Sequence, residues 1–261
     1  MSATTWPRRR MVGLSTKMYF SLSRTRDFVN RLLELLSDER AEQLSEMDMF
    51  VIPDFVSLAE TSARLGAARP KPVWTGAQDC GWEDQGAFTG EVSAGVLREA
   101  GVKIVIVGHA ERRSIMGEDD AMVASKAAAV CRNRMVPLVC IGERTVEAGI
   151  DGAVAECRLQ VEAVVAVLPA DADLVLAYEP VWAIGADRPA GDEHIMAVVD
   201  GIRQLDCLCR RRQGSVRVLY GGSAGPGLFA RLSGSLDGLF VGRFGHDPEQ
   251  FVRTIREVAS A

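Results

Sequence analysis

The sequence predicts an α/β architecture closed into a single (β/α)8 barrel, and three observations carry that prediction. Short apolar runs alternate with longer amphipathic segments along the chain. The apolar runs show little polar alternation, the pattern of parallel strands buried on both faces. The chain has 261 residues, a length typical of one such barrel. The same periodicity is compatible with an open doubly wound sheet, and the length with two smaller domains. No long Pro-, Ser- or Gly-rich linker separates two units, so one domain over residues 1–261 is expected, with 1–9 a polar N-terminal tail.

The elements follow in order. Met11–Leu14 is the first strand. A helix is expected over Arg24–Leu44, where Phe28, Leu32, Leu35 and Leu36 recur at helical spacing. Asp48–Ile52, Val73–Gln78 and Ile104–Val107 are the next β-branched or apolar runs. The alanine-rich Glu118–Arg134 reads as a helix and Val136–Ile141 as a strand. Ala155–Leu168 repeats Leu159, Val161 and Val164 as a helix would, and Leu174–Tyr178 returns to strand character. Helix Asp192–Arg212, strand Val216–Tyr220, helix Gly227–Leu232, strand Gly238–Val241 and helix Pro248–Val258 complete the series.

Composition narrows the function. Hydrophobic residues make up 48% and charged residues 25%, ordinary for a globular chain. A net charge of −5 offers no field for nucleic acid or an acidic membrane. The basic runs Arg8–Arg10 and Arg210–Arg212 read as a polar tail and a solvated helix end. Six scattered cysteines form no zinc-type pair, which predicts free thiols in a reducing compartment. The first residues, MSATTWPRRR, lack an apolar signal core, and no run approaches the roughly 18 apolar residues that span a bilayer. A cytoplasmic protein with no metal and no cofactor is expected.

In a barrel the active site lies at the C-terminal ends of the strands. There the sequence places Ser15-Thr16-Lys17, Gly108-His109-Ala110-Glu111, Glu179-Pro180-Val181-Trp182, Gly221-Gly222-Ser223 and Gly242-Arg243. Each alone has a bland reading: a solvated lysine, a satisfied histidine, a turn glutamate held off helix by Pro180, plain glycine turns. Together they form a set for moving a proton between adjacent carbons. Glu179 takes a proton from the carbon beside a carbonyl, while His109 and Lys17 stabilise charge building on oxygen. A helix starting after His109 would favour its neutral form. Glycine turns let backbone N–H groups approach a phosphate. The enediolate of a phosphorylated sugar can expel phosphate, and a water-excluding lid would suppress that loss.

These residues resemble the triosephosphate isomerase family along nearly the whole chain. The most specific stretch is AYEPVWAIG at 177–185, with VGHAERR at 107–113, VLYGGS at 218–223, GAQD at 76–79, QGAFTGE at 85–91 and CIGE at 140–143. The resemblance implies Lys17 as electrostatic clamp, His109 as electrophile and Glu179 as base, with Glu111 near the lysine. It implies that backbone N–H groups of Gly185, Ser223, Gly242 and Arg243 grip the phosphate. The lid would run through Pro180, Val181, Trp182, Ala183, Ile184 and Gly185, latched by Ala190 and Tyr220. It also implies a homodimer whose third βα loop carries Thr89 into the neighbour's site. The implied reaction interconverts glyceraldehyde 3-phosphate and dihydroxyacetone phosphate.

Several positions depart from the family pattern. Ser15 stands where asparagine is usual, in Ser15-Thr16-Lys17-Met18-Tyr19. Ala110 replaces a serine, Arg243 replaces the second glycine of the last turn, and the lid ends in Asp187-Arg188-Pro189-Ala190 instead of Gly-Lys-Thr-Ala. Serine and arginine at their two positions resemble a side branch that isomerises four-carbon ketose phosphates, L-erythrulose 1-phosphate and D-erythrulose 4-phosphate. A non-catalytic barrel that binds a sugar phosphate is the alternative of another class.

Overall fold

The eight strands of the computed structural model pair in chain order and close on themselves. They are β1 (Arg10–Ser15), β2 (Met47–Ile52), β3 (Trp74–Ala77), β4 (Ile104–Val107), β5 (Val136–Ile141), β6 (Leu174–Tyr178), β7 (Val216–Tyr220) and β8 (Gly238–Val241). All neighbours are parallel, and β8 returns to β1 with Leu14 opposite Val241. The structure describes residues 9–39, 41–186, 190–211 and 213–261. The first eight residues of the expected tail, the lid end 187–189 and Arg212 lie outside them. Closure rules out the open sheet.

The strands form because their side chains are buried on both faces. One core fills the barrel, from Met11, Phe50, Ile106, Leu138, Leu219 and Phe240 among others. A second lies between strands and helices, where Val12, Leu14, Val51, Val107, Leu176 and Val218 meet the helical stripes. Asp48 is buried in β2 because the Arg217 guanidinium of β7 donates to it at 2.7 Å. Gly13 is required inside the barrel, since a Cβ there would sit 2.1 Å from the Phe50 ring. Arg9 and Arg10, grouped by sequence with the tail, are engaged. Arg9 lies 3.0 Å from Asp48, and Arg10 donates to the Leu236 carbonyl at 2.7 Å.

The helices are α1 (Leu22–Ser37), α2 (Ala41–Leu44), α3 (Leu58–Gly66), α4 (Ala94–Glu99), α5 (Ala110–Ile115), α6 (Asp120–Arg132), α7 (Gly149–Val165), α8 (Asp192–Arg203), α9 (Asp206–Cys209), α10 (Phe229–Leu232) and α11 (Pro248–Ala259). The single helix expected over Arg24–Leu44 is two. The buried stripe Phe28, Val29, Leu32, Leu36 has no apolar successor in Ser37-Asp38-Glu39, so α1 stops. Asp192–Arg212 also divides, because Leu205 turns extended (φ −59°, ψ 129°) and is buried ahead of α9. α3, α4 and α5 were not placed as helices by periodicity. β3 ends before Gln78, whose side-chain amide instead donates to the Lys17 carbonyl at 2.8 Å. Among the described residues no helix is long and apolar enough to cross a membrane.

Candidate active site

At the C-terminal rim a cavity of about 300 Å³ is lined by Ser15, Lys17, His109, Glu111, Glu179, Ile184, Gly185, Ser223, Gly242 and Arg243. The sequence placed these residues at one rim, and the structure brings them together. Pro180, Val181, Trp182, Ala183, Ala190 and Tyr220 do not line the cavity; they form or support the segment covering it. Thr89 is exposed on the loop after β3 and lies off its own chain's cavity.

Lys17 follows β1 in the left-handed region (φ 47°), a conformation that costs a non-glycine residue energy and that surrounding bonds must hold. Its N–H donates to Ser15 Oγ at 3.2 Å, and its carbonyl accepts from Gln78. Its ammonium donates to Glu111 Oε1 at 2.6 Å. Burial pushes the Glu111 carboxyl up, but the Lys17 hydrogen bond and the charges of His109 and Lys17 together outweigh it and leave that group below the usual range.

His109 is the N-cap of α5. Its Nδ1 accepts the Glu111 backbone N–H at 3.2 Å. A ring nitrogen that accepts carries no hydrogen, so this bond directs the ring hydrogen to Nε2. That Nε2 lies 3.6 Å from Glu179 Oε2, a gap too long for a hydrogen bond.

Glu179 follows β6 and is 4% exposed. Burial raises its carboxyl above the usual range, opposed by His109 and Lys17. Among the described residues its buried Oε2 has no hydrogen-bond partner. Gly221 makes room for this side chain: a Cβ at 221 would lie 2.4 Å from Glu179 Oε1. The sequence assigned the 221–222 glycines to phosphate approach; the structure adds the carboxylate as the reason at 221.

The covering segment begins with a 3₁₀ turn, Val181–Ala183. Trp182 Nε1 donates to Glu143 Oε1 at 2.8 Å, and the Val181 N–H to the Glu143 carbonyl at 3.0 Å. Ser223 Oγ donates to the carbonyls of Ala183 (3.0 Å) and Ala186 (2.8 Å). The Ala190 N–H donates to Tyr220 Oη at 3.0 Å. Arg243 Nη2 donates to the Gly185 carbonyl at 3.0 Å. Arg243 itself is outside the left-handed region, so its Cβ carries no strain in the last turn.

Sequence reasoning gave no role to Gln78 or Glu143, although GAQD and CIGE contained them. It also missed His246, which lines the cavity and whose Nε2–H donates to the Ser15 carbonyl at 3.0 Å. Burial lowers the His246 imidazole below its usual range. Nothing local signals this, because Gly245-His246-Asp247-Pro248 reads as a helix start. Among the described residues no group of three or more His, Cys, Asp or Glu is placed to hold a metal ion.

Comparison with known proteins agrees with this geometry. The sequence profile of the triosephosphate isomerase family matches residues 10–258. The chain is 42% identical to an L-erythrulose-1-phosphate isomerase of Pectobacterium atrosepticum over 248 residues, covering 94% of this chain and 93% of that protein. It is 36% identical to a protein of the same name from Mesorhizobium japonicum, over 96% of this chain and 97% of that one. It is 37% identical to a triosephosphate isomerase of Moorella thermoacetica, over 95% of this chain and 98% of that one. With its closed barrel, its cavity at the strand ends and these relatives, the chain is a sugar phosphate isomerase and belongs to the triosephosphate isomerase family.

Proposed function

We propose that the chain interconverts L-erythrulose 1-phosphate and D-erythrulose 4-phosphate. The observation that carries this reading is the 42% identity to an L-erythrulose-1-phosphate isomerase along nearly the whole chain. It reverses the order of the two substrates that the motifs alone imply. Ser15 and Arg243, two of the positions that depart from the triose pattern, both line the cavity.

The four-carbon substrate differs from dihydroxyacetone phosphate at one place. A hydroxymethyl group replaces one hydrogen on the carbon that loses its proton. Glu179 takes the remaining hydrogen from C3 as a proton, giving an enediolate over C2 and C3. The His109 Nε2–H and the Lys17 ammonium face the oxygens on which charge builds. The C3 hydroxyl proton passes to O2 by way of His109 Nε2, and Glu179 returns its own proton to C2, leaving the carbonyl at C3. Both ends of the reaction are ketoses. A serine at position 15 is shorter than asparagine and leaves room for the added group. The phosphate is held by the N–H groups of Gly185, Ser223, Gly242 and Arg243, with Arg243 adding a cationic fork.

Isomerisation of the triose phosphates is the second reading, supported by 37% identity to a triosephosphate isomerase and by the trio Lys17, His109 and Glu179 gathered at the cavity. The deciding experiment measures kcat/KM for both substrates in wild type and Ser15→Asn. Wild type is expected to turn over L-erythrulose 1-phosphate. Ser15→Asn should move the preference towards the triose by about 1–3 kcal/mol, roughly 10- to 200-fold. Triose turnover without tetrulose turnover returns the protein to the second reading. No turnover of either makes it a binding barrel.

The reading includes a cytoplasmic homodimer with no nucleic-acid or membrane partner. All six cysteines are free, in keeping with a reducing compartment. Residues 82–91 are exposed throughout and include Phe88, which suits a loop covered by a second copy that receives Thr89.

A further inference from the structure

We infer that His246 is a positioning residue for the reaction: its Nε2–H pins the turn after β1, so that the Lys17 ammonium and the Ser15 hydroxyl hold their places in the cavity. The inference rests on the reading that Lys17 faces the oxygens on which charge builds, and it names what keeps Lys17 there.

The turn needs a support. Lys17 is in the left-handed region (φ 47°), a conformation that a residue with a Cβ keeps only while its surroundings hold it. Two bonds act on Lys17 directly: Ser15 Oγ accepts its N–H at 3.2 Å, and the Gln78 amide donates to its carbonyl at 2.8 Å. The first works only while Ser15 stays fixed. Met11 donates to the Asp237 carbonyl, so Met11, Gly13 and Ser15 turn their backbone groups towards β8. The β1–β8 ladder ends at Leu14 and Val241, and the Ser15 carbonyl lies one step beyond it. His246 supplies the donor there, with Nε2 at 3.0 Å. The same ring meets both residues that end the turn, Tyr19 at 5.6 Å between centroids and Phe20 edge-on at 4.9 Å.

The post that carries His246 is itself well held. His246 ends the 3₁₀ turn Arg243–His246, in which the Gly245 N–H donates to the Gly242 carbonyl at 3.0 Å. A Cβ at Gly245 would lie 3.1 Å from Val241 and 3.3 Å from Leu14, so this turn rests closely on the barrel. Asp247 then caps α11 by accepting the Gln250 N–H at 3.0 Å. A braced histidine against a strained turn gives the bond its direction: His246 holds, and the turn is held.

Histidine suits the place because it donates without carrying charge. Burial lowers its imidazole, opposed by the Ser15 carbonyl and aided by the nearby cations Arg24, Lys17 and Arg243. A neutral ring with its hydrogen on Nε2 makes the bond, whereas a lysine or arginine would set a further cation against Lys17. Lys17 acts on charge that builds in the transition state, so a displaced ammonium lowers turnover more than it weakens binding. The phosphate grip of Gly185, Ser223, Gly242 and Arg243 does not depend on this bond.

The test compares wild type, His246→Phe and His246→Gln. Phenylalanine keeps a ring beside Tyr19 and Phe20 but removes the donor. Glutamine gives up the ring and carries an N–H donor at about the reach of Nε2. Melting transitions confirm that both variants fold. Turnover is measured on whichever of the two sugar phosphates wild type accepts, and amide hydrogen exchange of residues 15–20 is followed without ligand. His246→Phe should lower kcat by about 5- to 100-fold, the scale of one carbonyl left without its donor, with KM within about threefold of wild type. Exchange of the Lys17 amide should quicken by a similar factor. His246→Gln should recover most of both. A phenylalanine variant with wild-type turnover and exchange would overturn the inference. So would equal loss in both variants, which would make the ring contacts the support. If wild type turns over neither sugar phosphate, the isomerase reading alone fails, and the exchange comparison still decides whether His246 pins the turn.

Discussion

Glu179 answers two opposed demands. The proposed base must be ionised, yet among the described residues this buried carboxyl has one oxygen unpartnered. Burial raises its folded-state value above that of the unfolded chain. The unfolded chain therefore releases this proton first as pH rises, and the native state loses stability through that window. Below the unfolded value the penalty is absent; above the raised value it is complete. Glu179→Gln should lower kcat by roughly 10²- to 10⁴-fold. It should also raise the melting temperature at neutral pH, by about 2–4 °C per kcal/mol recovered, with the gain vanishing in acid. Near-normal kcat in the folded variant would remove the base assignment; a variant less stable than wild type at neutral pH would remove the burial argument. Lys17, His109 and Glu179 were legible in the sequence because each follows an apolar strand run within a distinctive motif. The space that Gly221 leaves for the carboxylate, and the His246 bond that fixes Ser15, were not. Both are contacts between chain segments far apart in sequence, and residue type says nothing about them.

α5 presents His109 and Glu111, yet it has six residues and cannot be stable by itself. A buried charge network holds it. Lys126 of α6 is 1% exposed, donates to both Asp79 oxygens at 2.9 and 2.7 Å, and also meets Glu118. Arg112 of α5 reaches the same two carboxylates, lying 2.8 Å from Asp79 Oδ2. Arg113 Nε donates to the Gly108 carbonyl at 2.9 Å. Two cations and two carboxylates thus join the end of β3 to α5 and α6. Lys126→Met leaves two buried carboxylates facing a single arginine, and should destabilise the protein by about 3–5 kcal/mol in a urea titration. A loss within the range of ordinary surface substitutions would show that the network does not support the element. The strands were readable because burial on both faces makes them uniformly apolar. α3 and α4, with nine and six residues, are too short for a helical period to stand out from chance. The break before α9 was hidden for another reason: Leu205 leaves the helix through its backbone while staying buried, which an apolar count does not register.

The whole molecule leaves apolar side chains in water at the rim that carries the site. Phe88 is 44% exposed at the tip of the loop after β3, Met18 is 96% exposed after β1, and Val56 is 81% exposed after β2. A single exposed apolar residue needs no explanation, but three loops at the same barrel end each presenting one suggest a covered surface. The occupant that fits is a second copy, since a two-fold interface lets the same loop both insert and receive. Such an interface needs about 800 Å² from each partner. A protruding, exposed run from Trp82 to Glu91, together with the neighbouring loops, is a shape suited to supplying it. Sedimentation at micromolar concentration should therefore give a dimer. Phe88→Asp puts a charge where an apolar contact is expected, so it should shift the equilibrium to monomer. Activity should fall with dissociation, because Thr89 then no longer reaches a neighbouring site. The loss should be recovered in part at high protein concentration, which a defect confined to one chain's own site would not allow. A wild-type monomer with full activity would refute both the interface and the role of Thr89.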